Sequence, residues 1–105
     1  MSYKLIALDI DGTIGSDEYP LAERTRQAVQ RGREAGARIT LATGRTFKSA
    51  LRQSSDLDIT TPIASFQGAH VADPISCEVL WHMPLTQEMT RVAMDALRPY
   101  GLEVM

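Results

Sequence analysis

The sequence predicts an α/β fold: a three-layer, Rossmann-like parallel sheet, followed by the start of a second, inserted α/β unit. Three observations carry this expectation. Short, mostly apolar runs at Leu5-Ile6-Ala7-Leu8, Ile39-Thr40-Leu41-Ala42 and Pro62-Ile63-Ala64-Ser65-Phe66 have the length of buried strands. The stretches between them place small or apolar residues at helical spacing. Strand and helix therefore alternate, and a βαβαβ order implies parallel pairing with right-handed crossovers.

The first strand covers residues 4–9 and runs into a polar loop, 11–20, that contains Gly12, Gly15 and Pro20. A helix follows over about 22–35, with Ala28, Val29, Gly32 and Ala35 on one face and Gly36 as its stop. The second strand ends in Thr43-Gly44-Arg45, and a short helix spans about 46–54. After the third strand the pattern changes. Ala69-His70-Val71 and Val79-Leu80-Trp81 flank Asp73-Pro74, which predicts a β-hairpin with a longish loop. Thr86 is positioned to cap a helix whose apolar face is Val92, Ala93, Ala96 and Leu97, with Gly101 as its end. Leu102-Glu103-Val104-Met105 reads as a strand that has only begun, so the expectation is of a chain cut within a unit.

Composition bounds the function. A chain of 105 residues is one small domain at most. A net charge of −2 argues against a nucleic-acid or anionic-membrane surface. Cys77 is the single cysteine, so no intrachain disulfide forms and a reducing, cytoplasmic setting is expected. No apolar run has the length of a signal peptide or a membrane span. His70 and His82 lack partners at metal-ligand spacing and read as hairpin surface residues. Trp81, Met83, Met89, Met94 and Met105 read as packing groups rather than a ligand box, and as an exposed patch if a missing part of the chain normally covers them.

The chemistry concentrates in Asp9-Ile10-Asp11-Gly12-Thr13. One apolar residue separates the two carboxylates, so strand geometry sends both to the same side. They lie at the carboxyl end of a strand, where open α/β sheets bind ligands. Like charges this close are costly unless a cation or a shared proton relieves them. A hard divalent ion, magnesium first, is the simplest relief. A solvated acidic turn is the plainer reading of the pair. The plainer alternative for Thr43-Gly44-Arg45 is a helix N-cap with a surface arginine. Gln67-Gly68 reads equally as a turn into the hairpin.

Asp-x-Asp-Gly-Thr at the first strand, Arg24-Thr25, Ala42-Thr43-Gly44-Arg45 at the second strand and Gln67-Gly68-Ala69 at the third form one pattern. With Pro84-Leu85-Thr86, it resembles the haloacid dehalogenase (HAD) superfamily of phosphohydrolases over essentially the whole chain. The resemblance is to the Cof-type branch, whose cap domain is inserted after the third core strand. It implies that residues 1–83 form the N-terminal part of the core, hairpin included, and that 84–105 begin the cap. It also implies a magnesium-dependent phosphoric monoester hydrolase acting on a small phosphorylated metabolite through an aspartyl-phosphate. Asp9 would be the nucleophile and Asp11 the general acid and base. The Asp9 carboxylate and the Asp11 backbone carbonyl would hold magnesium. Gly12, Thr43 and Gly44 would bind the phosphoryl group, and Arg45, Gln67 and Gly68 would contact substrate.

The family places a lysine after the cap and further acids on a fourth strand, and neither region lies within these 105 residues. Lys48 is in the wrong place for that lysine, and Gln67 stands where the branch has asparagine. The alternative is an incomplete, inactive fragment that folds or associates through an unfinished sheet edge. A receiver-like phosphoacceptor domain is disfavoured, because no aspartate ends a later strand.

Overall fold

The computed structural model describes residues 3–102. Strand β1 (Leu5–Leu8) is followed by helix α1 (Glu23–Glu34), β2 (Arg38–Leu41) and α2 (Phe47–Asp56). Then come β3 (Ile63–Ser65), β4 (His70–Ala72), β5 (Val79–His82) and α3 (Gln87–Leu97). Single 3-10 turns occupy Phe66–Gly68 and Arg98–Tyr100. The elements follow the expected order, and the parallel core is present.

β1 and β2 pair in parallel, with Leu5 opposite Arg38 and Leu8 opposite Leu41. The third strand joins them through a single backbone bridge just past the carboxyl end of β2, where Ala42 bridges Ala64 in parallel and the Thr43 amide donates to the Ala64 carbonyl at 3.0 Å. Proline has no N–H to offer a ladder. Side chains bridge the gap at Pro62: the Thr61 hydroxyl donates to the Ile39 carbonyl, and Thr40 to the Pro62 carbonyl. The other side of β3 pairs antiparallel with β4, and β4 with β5.

Both crossovers run in the same direction along the sheet, so right-handedness places α1 and α2 on the same face. That face carries Ile6, Leu8, Ile39 and Leu41, packed with Val29 of α1 and Ala50 of α2. Ile10, Leu41, Leu57, Ile59 and Ile63 are fully buried there. Each such side chain stabilises the fold by roughly 1.5–3 kcal/mol. On the opposite face Leu5, Ala7 and Arg38 are exposed. Arg26 and Arg33 of α1 donate to the Asp56 and Leu57 carbonyls, supplying partners for the open C-terminal end of α2. Thr46, not Thr43, caps the other end of α2, accepting from the Ser49 amide at 3.2 Å.

The hairpin loop is fastened by the Asp73 carboxylate, which accepts from the amides of Ile75 and Ser76 at 2.8 Å each. These hydrogen bonds, Ser76 first, hold the Asp73 carboxyl below the usual carboxylate range. Two sequence expectations need correction here. His70 is half-buried: its ring meets Phe47, Phe66 and His82, and Nδ1 lies 3.1 Å from the Ser65 hydroxyl. Trp81, Met83, Met89 and Met94 are exposed rather than packed. No described residue of α3 is buried, although Thr86 caps it as expected by accepting from the Met89 amide. The result is elongated, 51 × 30 × 27 Å. Its radius of gyration is 16.4 Å, against about 13 Å for a compact chain of this length. Leu102 belongs to no strand, and the rest of the strand expected at 102–105 lies outside the described residues, as does Met105.

Candidate functional site

The site is built on the carboxyl ends of β1, β2 and β3. Asp9 follows β1 directly, and its Oδ1 accepts from the Ile10 amide at 2.8 Å. Ile10 is fully buried, and its carbonyl takes the amides of Thr13, Ile14 and Gly15 at 3.0–3.2 Å. A buried apolar residue therefore pins the turn while the carboxylates on either side stay exposed. Gly12 has φ +76°, a conformation that disfavours any side chain.

At the end of β2, Thr43 is buried, and its Oγ1 accepts from the Arg45 amide at 3.1 Å. Its hydroxyl proton remains able to donate. The Arg45 side chain is only 12% exposed and reaches back to the first loop. It grips Asp11 with two hydrogen bonds, Nε to Oδ2 at 2.8 Å and Nη2 to Oδ1 at 2.6 Å. Its Nη1 lies 3.1 Å from Asp17 and 3.3 Å from the Ser49 hydroxyl. This is the bidentate geometry that suits a guanidinium and a carboxylate. The hydrogen bonds from Arg45 hold the Asp11 carboxyl below its usual range, and those to Asp11 raise Arg45 further above its own.

At the end of β3, Phe66 and Gln67 both adopt left-handed backbone conformations, with φ of 50° and 57°. Gly68 follows at φ 93°. The Phe66 amide donates to the Arg45 carbonyl at 2.8 Å, and the Gln67 amide to the Thr43 carbonyl at 3.2 Å. The loops after β2 and β3 are thus tied together. The Gln67 side chain lies over Gly44, where a Cβ would come within 2.3 Å of Nε2.

The structure thus brings Asp11 onto Arg45, and Thr43-Gly44-Arg45 against Gln67-Gly68. Asp9 stands at the adjoining strand end. Asp17 and Ser49 complete the setting of Arg45, and neither belongs to a motif of the sequence. Among the described residues no group of three or more His, Cys, Asp or Glu side chains could hold a metal. The available donors are the Asp9 carboxylate and the Asp11 carbonyl, which takes no backbone hydrogen bond among those residues. Two oxygens of this kind fit magnesium, which keeps several waters, better than calcium, which wants six to eight oxygen ligands.

The sequence profile of the haloacid dehalogenase-like hydrolases matches residues 6–105. The chain belongs to the haloacid dehalogenase-like hydrolase family. It is 39% identical over 70 residues to the 5-amino-6-(5-phospho-D-ribitylamino)uracil phosphatase YitU of Bacillus subtilis, a match covering 67% of this chain and 26% of that protein. It is 31% identical over 86 residues to the putative phosphatase YxeH of the same organism, covering 79% and 32%. The crystal structure of a haloacid dehalogenase-like hydrolase from Bacteroides thetaiotaomicron superposes with a TM-score of 0.80 at 29% identity. That match covers 96% of this chain and 39% of that one. This family member spans about a quarter to a third of the length of the curated relatives it matches. No helix among the described residues is long and apolar enough to cross a membrane.

Proposed function

We propose that this chain carries the nucleophile, acid–base and phosphoryl-binding part of a magnesium-dependent phosphoric monoester hydrolase of the Cof-type branch. The observation behind this reading is the joining of three strand ends, with Asp9 exposed after β1 and Asp11, two residues on, held by Arg45. Residues 1–83 form the core part in this reading, and 84–105 begin the cap. The substrate is a small phosphorylated metabolite, in keeping with the names of the phosphatase relatives. The lone, exposed Cys77 is in keeping with a reducing, cytoplasmic setting.

One Asp9 oxygen is occupied by the Ile10 amide, which leaves the other for phosphorus. That oxygen attacks, the ester P–O bond breaks, and an aspartyl-phosphate forms. Asp11 gives its proton to the departing alkoxide, then takes one from the water that attacks phosphorus and frees Asp9 and inorganic phosphate. The Thr43 hydroxyl and the Gly12 and Gly44 amides face the phosphoryl oxygens, whose negative charge needs such fixed donors. Bound magnesium, held by Asp9 and the Asp11 carbonyl, would supply further charge neutralisation. Arg45 favours the anionic form of Asp11, which is the form that accepts a proton. Protonation for the acid step therefore loosens the Arg45 pair.

Asp9→Asn should abolish hydrolysis of an aryl phosphate with magnesium present and leave the far-ultraviolet circular dichroism unchanged. Independently of turnover, beryllofluoride with magnesium should give a bound fluorine-19 NMR signal in the wild type and none in the variant. Hydrolysis or signal at the wild-type level in Asp9→Asn would remove Asp9 from this role. The uncovered sheet face and exposed α3 favour a second reading, in which the isolated chain is a catalytically inactive folding or association unit.

A further inference from the structure

Gln67 is an odd residue for its position. Left-handed backbone costs a residue with a Cβ about 1–2 kcal/mol, and Phe66 and Gln67 adopt it in succession. Glycine or asparagine would take the same turn at less cost. Strain of this sort persists where the surroundings impose it, and it gathers at functional sites. The imposing contacts are the two backbone hydrogen bonds to the carbonyls of Arg45 and Thr43. Together they aim the Gln67 side chain across Gly44.

The Gln67 side-chain amide makes no hydrogen bond among the described residues, and the residue is exposed. The group is therefore held in place but unspent, at the rim of the loop that the proposed mechanism assigns to the phosphoryl group. Gly44 has an ordinary backbone conformation, so what it provides here is room for that amide. The phosphoryl oxygens already have the Thr43 hydroxyl and the loop amides. A primary amide offers a donor and an acceptor side by side, as a hydroxyl does, and carries no charge.

We propose that Gln67 is a specificity-determining residue that reads a hydroxyl on the alcohol half of the phosphate ester, and that Gly44 is small so that it can. This rests on the phosphoryl site described above. It selects esters with a hydroxyl beside the ester carbon over otherwise equal esters without one.

The test compares binding of glycerol 3-phosphate, n-propyl phosphate and inorganic phosphate to this chain by titration calorimetry, with magnesium present. The wild type should prefer glycerol 3-phosphate over propyl phosphate by about tenfold, the size of one net hydrogen bond. Gln67→Ala should lose that preference. Gly44→Ala should lose it too, since its Cβ evicts the amide, and the double variant should lose no more than either. The Gln67 side-chain NH2 resonances should shift with glycerol 3-phosphate and stay in place with propyl phosphate. If inorganic phosphate does not bind the wild type, the phosphoryl site itself is wrong and this inference falls with it. If phosphate binds but the two esters bind alike, or Gln67→Ala keeps the preference, the inference alone is overturned. An equal loss for inorganic phosphate in Gln67→Ala would also overturn it, because the amide would then serve the phosphoryl group.

Discussion

Arg45 ties the distant first loop, through Asp11 and Asp17, to the start of α2, where Ser49 lies one turn further along. Its pair with Asp11 has a pH signature. The Asp11 carboxyl is held below its ordinary value of 3.8 in the folded state. A depressed carboxylate stabilises the fold above the unfolded-state value, and that contribution disappears as pH falls through the folded value. Arg45→Met should therefore lower the urea midpoint at pH 7, and the gap to the wild type should close in acid, below about 3.8. A gap of the same size at pH 7 and pH 3 would mean that Arg45 stabilises by packing alone. Asp11→Asn should slow turnover strongly while leaving phosphate affinity nearly unchanged, since a general acid acts on the transition state. A variant that kept its turnover rate and lost only affinity would rule out the proton-transfer role.

The helices are not equal in what they contribute. α2 is capped by Thr46, buries Ala50, and takes Arg26 and Arg33 on its last carbonyls. α3 is capped in the same manner by Thr86 yet buries none of its described residues. Losing a threonine N-cap costs about 1 kcal/mol of helix stability. Thr46→Ala should therefore lower the melting temperature of the whole core. Thr86→Ala should reduce helical signal and amide protection in α3 alone, with the core transition in place. Equal drops in melting temperature would show α3 to be coupled to the core. Much of this arrangement is legible in the sequence because it is local. Asp9, Asp11, Thr43 and Gly44 each lie within a few residues of an apolar strand, and strand period and sheet-edge rules locate them. The Asp17–Arg45 pair and the seat of Gln67 over Gly44 join residues 28 and 23 positions apart, and no spacing rule connects them. His70 reads as a surface residue by its hairpin setting, but Phe47 and Phe66 close around it from other elements. The apolar stripe of α3 identifies a face without naming what covers it.

At the scale of the whole molecule, the two crossovers leave one sheet face bare. β1 has a hydrogen-bonded neighbour on one side only among the described residues. Leu5 on that strand is 58% exposed. At the other end of the molecule Val79, Leu80, Trp81, Met83, Leu85, Met89 and Val92 are all exposed. Scattered apolar residues are normal on a surface, but patches this dense mark interaction sites or association hazards. An unpaired parallel strand adds open donors and acceptors to the same hazard. The chain by itself should therefore associate, through the β1 edge with its bare face. Sedimentation velocity across a wide concentration range should show a rising mean mass. Leu5→Lys places a charge on the exposed side of β1, where it disturbs none of the core under α1 and α2, and should shift the material toward monomer. Met89→Glu on α3 serves as the comparison, and should change little if the sheet edge is the contact. A monomer at every concentration would refute association altogether. Dissociation by Met89→Glu but not by Leu5→Lys would move the contact from the sheet to the apolar face of α3.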